Sequence, residues 1–359
     1  MLKEIGSNFW ITPEEKNSID IDRSIFNTYY EDEVFTSSGR SAISLILSDI
    51  ENNVKKALLP SFTCESVIDP FIRQDYQVCY YHITANGTIS QKLFLEDLQN
   101  NQPSVVFIHN YFGFNTTSEI TELIPEIRKR GIIVIEDITQ TLYSEFLRSS
   151  ADYYIGSFRK WAGIPDGGFA LKATGRFRNK PKTEDSQLAE LKLNAMRAKY
   201  DYLFHGTGDK NSFLRMFAEA EDFLERQDKI YQMSSVSRRE QASLKISDLK
   251  KRRIDNFRFL LNNIPGSNVL PLFDELPEKV VPLYFPVLCK QERHIIQTKL
   301  RDNQIFAPIV WPKPDFMTEH YCGSDHLYEN LLCIPCDQRY GIEEMERISS
   351  IIGDKGLSH

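Results

Sequence analysis

Short apolar runs alternate with amphipathic segments over the first half of the chain. The apolar runs predict strands at 56–59, 78–83, 105–109, 132–135, 153–155 and 169–171. Between two of them, Ile120, Leu123, Ile124 and Ile127 recur at the spacing of one helix face. Strands and helices in this rhythm predict a largely parallel sheet with helices on both faces, so the expected fold class is α/β.

The second half of the chain has a different pattern. Residues 174–230 are charged and predict two helices, at 189–200 and 213–225, with an exposed loop at 205–209. A long helix is expected at 238–262, where Pro265-Gly266 would end it. Strands are then predicted at 280–288, 305–310 and 331–334, and helices at 291–302 and 342–352. We therefore predict an N-terminal arm at 1–30, a large domain at 31–235 and a small α+β domain at 236–359.

Composition and charge exclude several classes of protein. The chain has 359 residues, 41% of them hydrophobic and 26% charged, as in an ordinary globular protein. A net charge of -7 argues against a nucleic-acid surface. Without a signal peptide or an 18-residue apolar run, neither secretion nor a membrane span is expected. The six scattered cysteines indicate reduced thiols in the cytoplasm, and we expect Cys333 and Cys336 to be core residues and not metal ligands.

A lysine follows the predicted strand at 153–155. The segment Ser157-Phe-Arg-Lys160 comes directly after that strand, and the turn Pro165-Asp-Gly-Gly168 comes next. A lysine at a strand end, beside a hydroxyl group that can hold a phosphate, could form a Schiff base with pyridoxal phosphate (PLP). The alternative is a solvated surface lysine, which is the commoner outcome for an isolated Ser-x-x-Lys.

An acidic residue ends the strand before this one. Glu136 and Asp137 follow the apolar run 132–135. PLP enzymes need a carboxylate against the pyridine nitrogen, because the protonated ring stabilises a carbanion at the substrate carbon. Ligands of parallel sheets bind at the carboxyl ends of the strands, where both Asp137 and Lys160 are expected.

A third feature is a predicted anion site, which lies earlier in the chain than Asp137 and Lys160. Ser38-Gly39-Arg40-Ser41 precede a helix whose buried side is marked by Ile43, Ile46, Leu47 and Ile50. Free backbone N–H groups at such a helix N-terminus suit a cofactor phosphate. An ordinary N-cap uses the same residue types, so this motif alone does not decide between the two.

Five motifs in this order resemble those of one family. They are Ser-Gly-x-x-Ala before a helix, Pro60-Ser-Phe-Thr63, Ile108-His-Asn-Tyr-Phe-Gly113, Val134-Ile-Glu-Asp-x-x-Gln140, and Lys160 followed by Asp-Gly-Gly. Together with 231–234 and 332–335, they are similar to motifs of the DegT/DnrJ/StrS-type sugar aminotransferases, which have PLP fold type I. The likeness covers about residues 30–352. It implies a large domain with a mostly parallel seven-stranded sheet between helices, and a small C-terminal α+β domain.

The resemblance also implies a role for each site residue. Lys160 would hold PLP covalently and transfer a proton, Asp137 would keep the pyridine nitrogen protonated, and Gln140 would contact the 3-oxygen of the ring. The phosphate would be bound by Ser38, Gly39, Arg40, Ser41 and Ser157. Cys64 stands where relatives carry the aromatic residue that stacks on the pyridine ring, so stacking could pass to Phe62 or a neighbour.

The function implied is transamination by a cytoplasmic homodimer with a shared active site, in the biosynthesis of surface-polysaccharide or secondary-metabolite sugars. The amino donor would be an amino acid such as glutamate, and the acceptor a keto sugar attached to a nucleotide. Residues 231–237 would reach the partner's cofactor, through hydroxyl groups such as that of Ser234. One alternative is another PLP enzyme, namely a sugar dehydratase or a lyase. The other alternative is a non-catalytic scaffold. Dehydrating relatives carry a histidine in place of the lysine, so Lys160 favours transfer.

Three other features of the sequence bear on function. His109 ends a predicted strand close to the expected cofactor, and we interpret it as structural or supporting, because no base is needed beyond the lysine. Residues 311–314 and 207–210 are candidate substrate loops. His320 and His326 are expected in a C-terminal loop, at a spacing that suits no metal.

Overall fold

The computed structural model describes residues 4–12, 30–146, 148–264 and 268–353. Much of the predicted N-terminal arm, and the Pro265-Gly266 helix stop, lie outside the described residues. The first described strand is β1 (Ile5–Gly6).

A seven-stranded sheet forms the centre of the molecule. Its strands are β2 (Asp32–Thr36), β3 (Lys56–Pro60), β4 (Gln77–Tyr81), β5 (Val105–His109), β6 (Ile133–Asp137), β7 (Tyr153–Ser157) and β8 (Gly168–Lys172). They lie in the order β2-β8-β7-β6-β5-β3-β4. Strands β3 to β7 pair in parallel, whereas β8 pairs antiparallel with both β7 and β2. The predicted mostly parallel, seven-stranded α/β sheet is confirmed.

Helices that connect the strands pack against this sheet. They are α1 (Gly39–Asp49), α2 (Glu65–Arg73), α3 (Gln91–Asn101), α4 (Ser118–Thr121) and α5 (Ile124–Lys129). Every residue of β5 is buried, as expected of a continuous apolar run in a parallel sheet. The apolar pattern over 120–127 belongs to two short helices instead of one. Strand β2 was not predicted because its sequence, Asp-Glu-Val-Phe-Thr, is largely polar, as suits an edge strand.

Two helices that pack against each other follow the sheet in the chain. They are α6 (Ser186–Tyr200) and α7 (Lys210–Glu225), close to the two helices predicted. Asp185 and Asp209 cap their N-termini by accepting hydrogen bonds from backbone N–H groups. The two helices share a small apolar cluster that includes Met196 and Phe217. We call α6, α7 and the turn between them the helical hairpin.

The long helix predicted at 238–262 is wrong, because the structure has two helices there. They are α8 (Ser235–Ala242) and α9 (Ile246–Asn263). At the end of α8, the Ser243 hydroxyl donates to the Glu240 carbonyl oxygen at 2.8 Å. The domain boundary that we propose near residue 235 coincides with the start of α8.

The C-terminal part holds a second, smaller sheet. The elements of this C-terminal part are β9 (Val269–Pro271), β10 (Phe285–Cys289), α10 (Arg293–Asp302), β11 (Ile305–Phe306), α11 (Cys322–Asn330), β12 (Leu331–Ile334) and α12 (Ile342–Gly353). The order β12-β10-β9 is antiparallel throughout, and β1 pairs in parallel with β11. The strand predicted at 280–288 begins only at Phe285, because Leu283 instead donates its N–H to the Phe112 carbonyl at 2.9 Å. His326 lies in α11, so the predicted loop there is wrong.

The cysteines agree with most of what the composition indicates. Cys333 and Cys336 are fully buried, as predicted for core residues, whereas Cys322 is exposed. All six cysteines are unpaired. Within the described ranges, none of the helices combines the length and apolarity needed to cross a membrane.

Candidate active site

The carboxyl ends of three neighbouring strands meet at one cavity. His109 ends β5, Asp137 ends β6 and Ser157 ends β7, and the register places His109 beside Asp137. The cavity has a volume of about 790 Å³. Among its lining residues are predicted site residues: Ser38, Gly39, Arg40, Cys64, Asp137, Gln140, Ser157 and Lys160. Ser41 does not line this cavity, and faces a separate groove beside α1.

The N-terminus of α1 forms one wall of the cavity. The Ser38 Oγ accepts a hydrogen bond from the Ser41 N–H at 3.1 Å and donates to the Ser41 Oγ at 3.0 Å. A Cβ on Gly168 would lie 2.3 Å from the Ser38 carbonyl carbon, so only glycine lets β8 approach this closely. The helix terminus is thereby fixed beside Ser157, whose Cβ would lie 3.6 Å from a Cβ on Gly39. The N-terminus of a helix is a place where backbone N–H groups can bind an anion.

Arg40 extends this wall with a cationic side chain. Its Nε lies 3.8 Å from the Asp69 Oδ2, and is buried without a hydrogen-bond partner among the described residues. The guanidinium therefore keeps donors that a phosphate could take.

Lys160 is presented to the cavity by two buried aromatic neighbours. It ends a single 3₁₀ turn, Phe158–Lys160, and Phe158 and Trp161 are both fully buried. The Trp161 Nε1 donates to the Thr139 carbonyl at 2.7 Å, and the Arg253 guanidinium lies 4.7 Å over the indole ring. Lys160 itself is exposed, and within the described residues its ammonium forms neither a hydrogen bond nor an ion pair. The turn is held rigidly while the amine stays free.

Asp137 also lines the cavity and is only 4% exposed. Its Oδ1 accepts from the Thr139 N–H at 2.7 Å, and its Oδ2 lies 3.8 Å from the His109 Nδ1. Gln140 is fixed by its Oε1, which accepts from the Phe112 N–H at 2.6 Å, so its amide NH₂ remains available as a donor.

His109 is a buried, unpaired histidine in this cavity. Its ring stacks on Tyr111 at 4.8 Å and meets Trp311 edge-on at 5.2 Å. Both ring nitrogens are without a hydrogen-bond partner in the part of the chain described. Burial lowers the pKa of His109, against the opposing pull of Asp137, so the ring is neutral at pH 7.

Phe62 does not occupy the cavity, contrary to one option for ring stacking. It is 2% exposed and packs against Trp311 and Tyr328 behind the cavity wall. Cys64 does line the cavity, with its Sγ 2.9 Å from the Ser66 Oγ, and burial raises the pKa of its thiol. Trp311, from one of the predicted substrate loops, also lines it.

Two other predicted contributors do not line the cavity of their own chain, and the contact of residues 231–237 with a partner's cofactor stays a prediction. The Ser234 Oγ donates to the Asp166 Oδ1 of the same chain at 2.5 Å, and the Ser237 Oγ accepts from the Asp166 N–H at 3.1 Å. These hydroxyl groups are therefore occupied within the chain. In the loop at 207–210, Lys210 forms an ion pair with Glu4 and does not line the cavity.

Residues that the sequence reasoning missed complete the cavity. The helical hairpin contributes Lys192, Met196, Phe217, Glu221, Leu224 and Glu225, and the N-terminal segment contributes Gly6 to Phe9. The only signal in the sequence is a spacing of three or four residues along each helix, which by itself indicates a buried face.

These residues fit PLP. The free lysine amine suits the PLP aldehyde, and the buried carboxylate, with one oxygen open to the cavity, suits the ring nitrogen. The helix N-terminus, with an arginine that keeps free donors, suits the phosphate. Groupings of three histidine, cysteine or acidic side chains able to hold a metal are not found in the described ranges.

Comparison with known proteins shows the fold. Neither a family model nor a curated protein matches the sequence. Helicobacter pylori PseC, an aminotransferase involved in the biosynthesis of pseudoaminic acid, is similar with a TM-score of 0.66 and 16% identity, over 90% of this chain and 86% of PseC. A DegT DnrJ EryC1 StrS aminotransferase from Brucella abortus gives 0.61 and 14%, over 90% and 85%. Spr1654 from Streptococcus pneumoniae, in its PMP form, gives 0.62 and 15%, over 89% and 86%. The chain thus has the fold of the sugar aminotransferases, as predicted.

Proposed function

We propose that this protein is a PLP-dependent aminotransferase that moves an amino group from an amino acid such as glutamate to a nucleotide-linked keto sugar. One observation carries this proposal. Lys160, with a free amine, and Asp137, with an open carboxylate oxygen, line one cavity beside the N-terminus of α1. The sugar aminotransferases of the same fold support the choice of reaction.

Each residue has a defined task in this reaction. PLP, when bound, supplies an electron sink for the carbanion formed at the substrate carbon. Lys160 holds the cofactor and moves a proton at that carbon. Asp137 holds a proton at the pyridine nitrogen, and Gln140 donates from its amide to the ring oxygen. Ser38, Gly39, Arg40 and Ser157 bind the phosphate through N–H, guanidinium and hydroxyl donors.

The test is an absorption spectrum of the purified protein with PLP, before and after excess glutamate. The wild type should show a visible band that bleaches with glutamate. Lys160→Ala should lose the band, and Asp137→Asn should keep it but bleach far more slowly. Normal turnover in folded Lys160→Ala protein would contradict the mechanism.

The same spectrum separates the alternatives. A band that does not respond to glutamate or to other amino donors would favour a lyase or dehydratase. A protein that forms no band would be a scaffold. Since Lys160 is present and exposed to the cavity, we favour transfer.

Assembly, location and pathway are part of the proposal. We infer a homodimer with a shared active site, in the cytoplasm, acting in the biosynthesis of surface-polysaccharide or secondary-metabolite sugars. Six unpaired cysteines support a reducing compartment. Light scattering of the purified protein would test the dimer, and a monomer with full turnover would contradict a shared active site.

A further inference from the structure

A group of charged side chains lies on the cavity wall formed by the helical hairpin. Lys192 of α6 and Glu221 of α7 line the cavity together with Arg159, the residue directly before Lys160. Lys192 is 3% exposed, although lysine is among the residues that are least often buried. A lysine held there at the edge of a cavity calls for a reason beyond packing.

Both cations bind the same oxygen of Glu221. The Arg159 Nη2 donates to the Glu221 Oε1 at 2.6 Å, and the Lys192 ammonium donates to that oxygen too. An ammonium has three donors and a guanidinium five. Among the hydrogen bonds of the described residues, each cation therefore uses one donor here and keeps the others.

The group of three side chains, Arg159, Lys192 and Glu221, has a net positive charge even after this pairing. Arg159 and Lys192 contribute two positive charges against the single negative charge of Glu221, and the net charge of the group does not depend on Lys160. Glu221 is half exposed, so water screens its attraction for both cations. An entering anion could therefore bind both cations beside Glu221, or displace its carboxylate.

We propose that Arg159 and Lys192, whose charges Glu221 balances only in part, form a subsite for an oxyanion of a substrate. The oxyanion is a carboxylate if it comes from the amino donor and a phosphate if it comes from the nucleotide part of the acceptor. Both chemistries need the same convergent donors, and the position next to Lys160 suits a group close to the reacting carbon. This inference rests on the proposed function, since it assigns part of that substrate pocket.

The test is calorimetric binding to the PLP-loaded protein at neutral pH, with glutarate and UDP as unreactive probes. Lys192→Met should weaken binding of the relevant probe about tenfold, the loss of a charge-assisted contact, whereas Lys192→Arg should retain most of the affinity. Arg197→Met is the matched control, because it removes one positive charge from the exposed face of the same helix.

Glu221→Gln distinguishes a subsite from a purely structural ion pair. If Glu221 competes with the incoming oxyanion, its removal should tighten probe binding several-fold. If the pair only holds the hairpin together, both Lys192→Met and Glu221→Gln should weaken binding. Glu219→Gln, an exposed change of equal charge on α7, should have no effect.

The outcomes separate this inference from the proposed function. If Lys192→Met weakens the binding of glutarate alone, the subsite binds the carboxylate of the amino donor. If it weakens the binding of UDP alone, the subsite binds the phosphate of the acceptor. Unchanged affinities in a protein that shows the PLP band overturn the subsite only, as does failure of the wild type to bind either probe. A protein without the band overturns the proposed function itself.

Discussion

The His109 Nδ1 lies 3.8 Å from the Asp137 Oδ2, and both side chains are almost completely buried in the wall of the cavity. Burial lowers the pKa of His109 from its ordinary 6.5, against the pull of Asp137. Between pH 6.5 and the folded-state pKa, the unfolded chain therefore binds this proton more readily. The free energy of unfolding should fall as the pH drops below about 6.5.

His109→Phe should remove this component, because phenylalanine keeps the stacking on Tyr111 and does not titrate. Urea denaturation of the cofactor-free protein across this pH range measures the effect. The exposed His205→Gln variant is the control, and should follow the wild type. An acid-induced loss of stability as large in His109→Phe as in the wild type would show that another group causes it.

The close approach of β8 to α1 predicts a strong effect of one methyl group. In Gly168→Ala, the new Cβ would lie 2.3 Å from the Ser38 carbonyl carbon, so the strand or the helix terminus must move. We expect a loss of about 1–3 kcal/mol in the free energy of unfolding, as for other overpacked sites. PLP affinity should fall as well, because Ser38 belongs to the phosphate site that we propose.

Gly341→Ala is the matched control for this change. A Cβ there would meet its nearest neighbour, the Arg252 Nη1, at 3.4 Å, and that is the movable end of a side chain. Urea denaturation and PLP titration of both variants test the prediction. A Gly168→Ala protein with wild-type stability and PLP affinity would mean that the two segments separate without cost.

The turn after Lys160 depends on one serine. Asp166 is fully buried, burial raises its pKa, and the Ser234 hydroxyl donates to it while also accepting from the Ser237 N–H as the cap of α8. Ser234→Ala should lose both bonds, which amounts to about 2–3 kcal/mol of unfolding free energy. Ser235→Ala, an exposed neighbour, should change it by less than about 0.5 kcal/mol. Equal stability of the two variants would contradict this role.

The sheet could be predicted from sequence because its strands are buried on both faces. Val105–His109 is continuously apolar up to its final histidine, and its prediction matches the observed strand. Edge strand β2 was not predicted, because its residues are largely polar. The break between α8 and α9 was not predicted either, because no Gly or Pro marks it.

In the candidate cofactor site, the structure brings together those residues that the sequence motifs single out. Lys160 and Asp137 sit at strand ends, so topology alone brings them together. Lys192 and Glu221 were not predicted, because their positions depend on how the tertiary structure places the helical hairpin beside the cavity. A charged residue on a predicted helix ordinarily faces water, and only tertiary packing buries Lys192.

Lys199 should make stability depend on pH in the alkaline range. It is fully buried, and its Nζ donates to the Asn8 carbonyl at 2.7 Å, which ties the N-terminal segment to α6. Burial and the nearby Arg339 lower the pKa of Lys199 from 10.5 to about 7. Between these values the unfolded chain binds the proton and the folded chain does not, so unfolding free energy should rise with pH, by at most about 1.4 kcal/mol per unit.

Lys199→Met should flatten this rise, and the exposed Lys182→Met should not. Urea midpoints at neutral and alkaline pH measure the slopes, and parallel slopes in all three proteins would show that Lys199 is charged in the folded state.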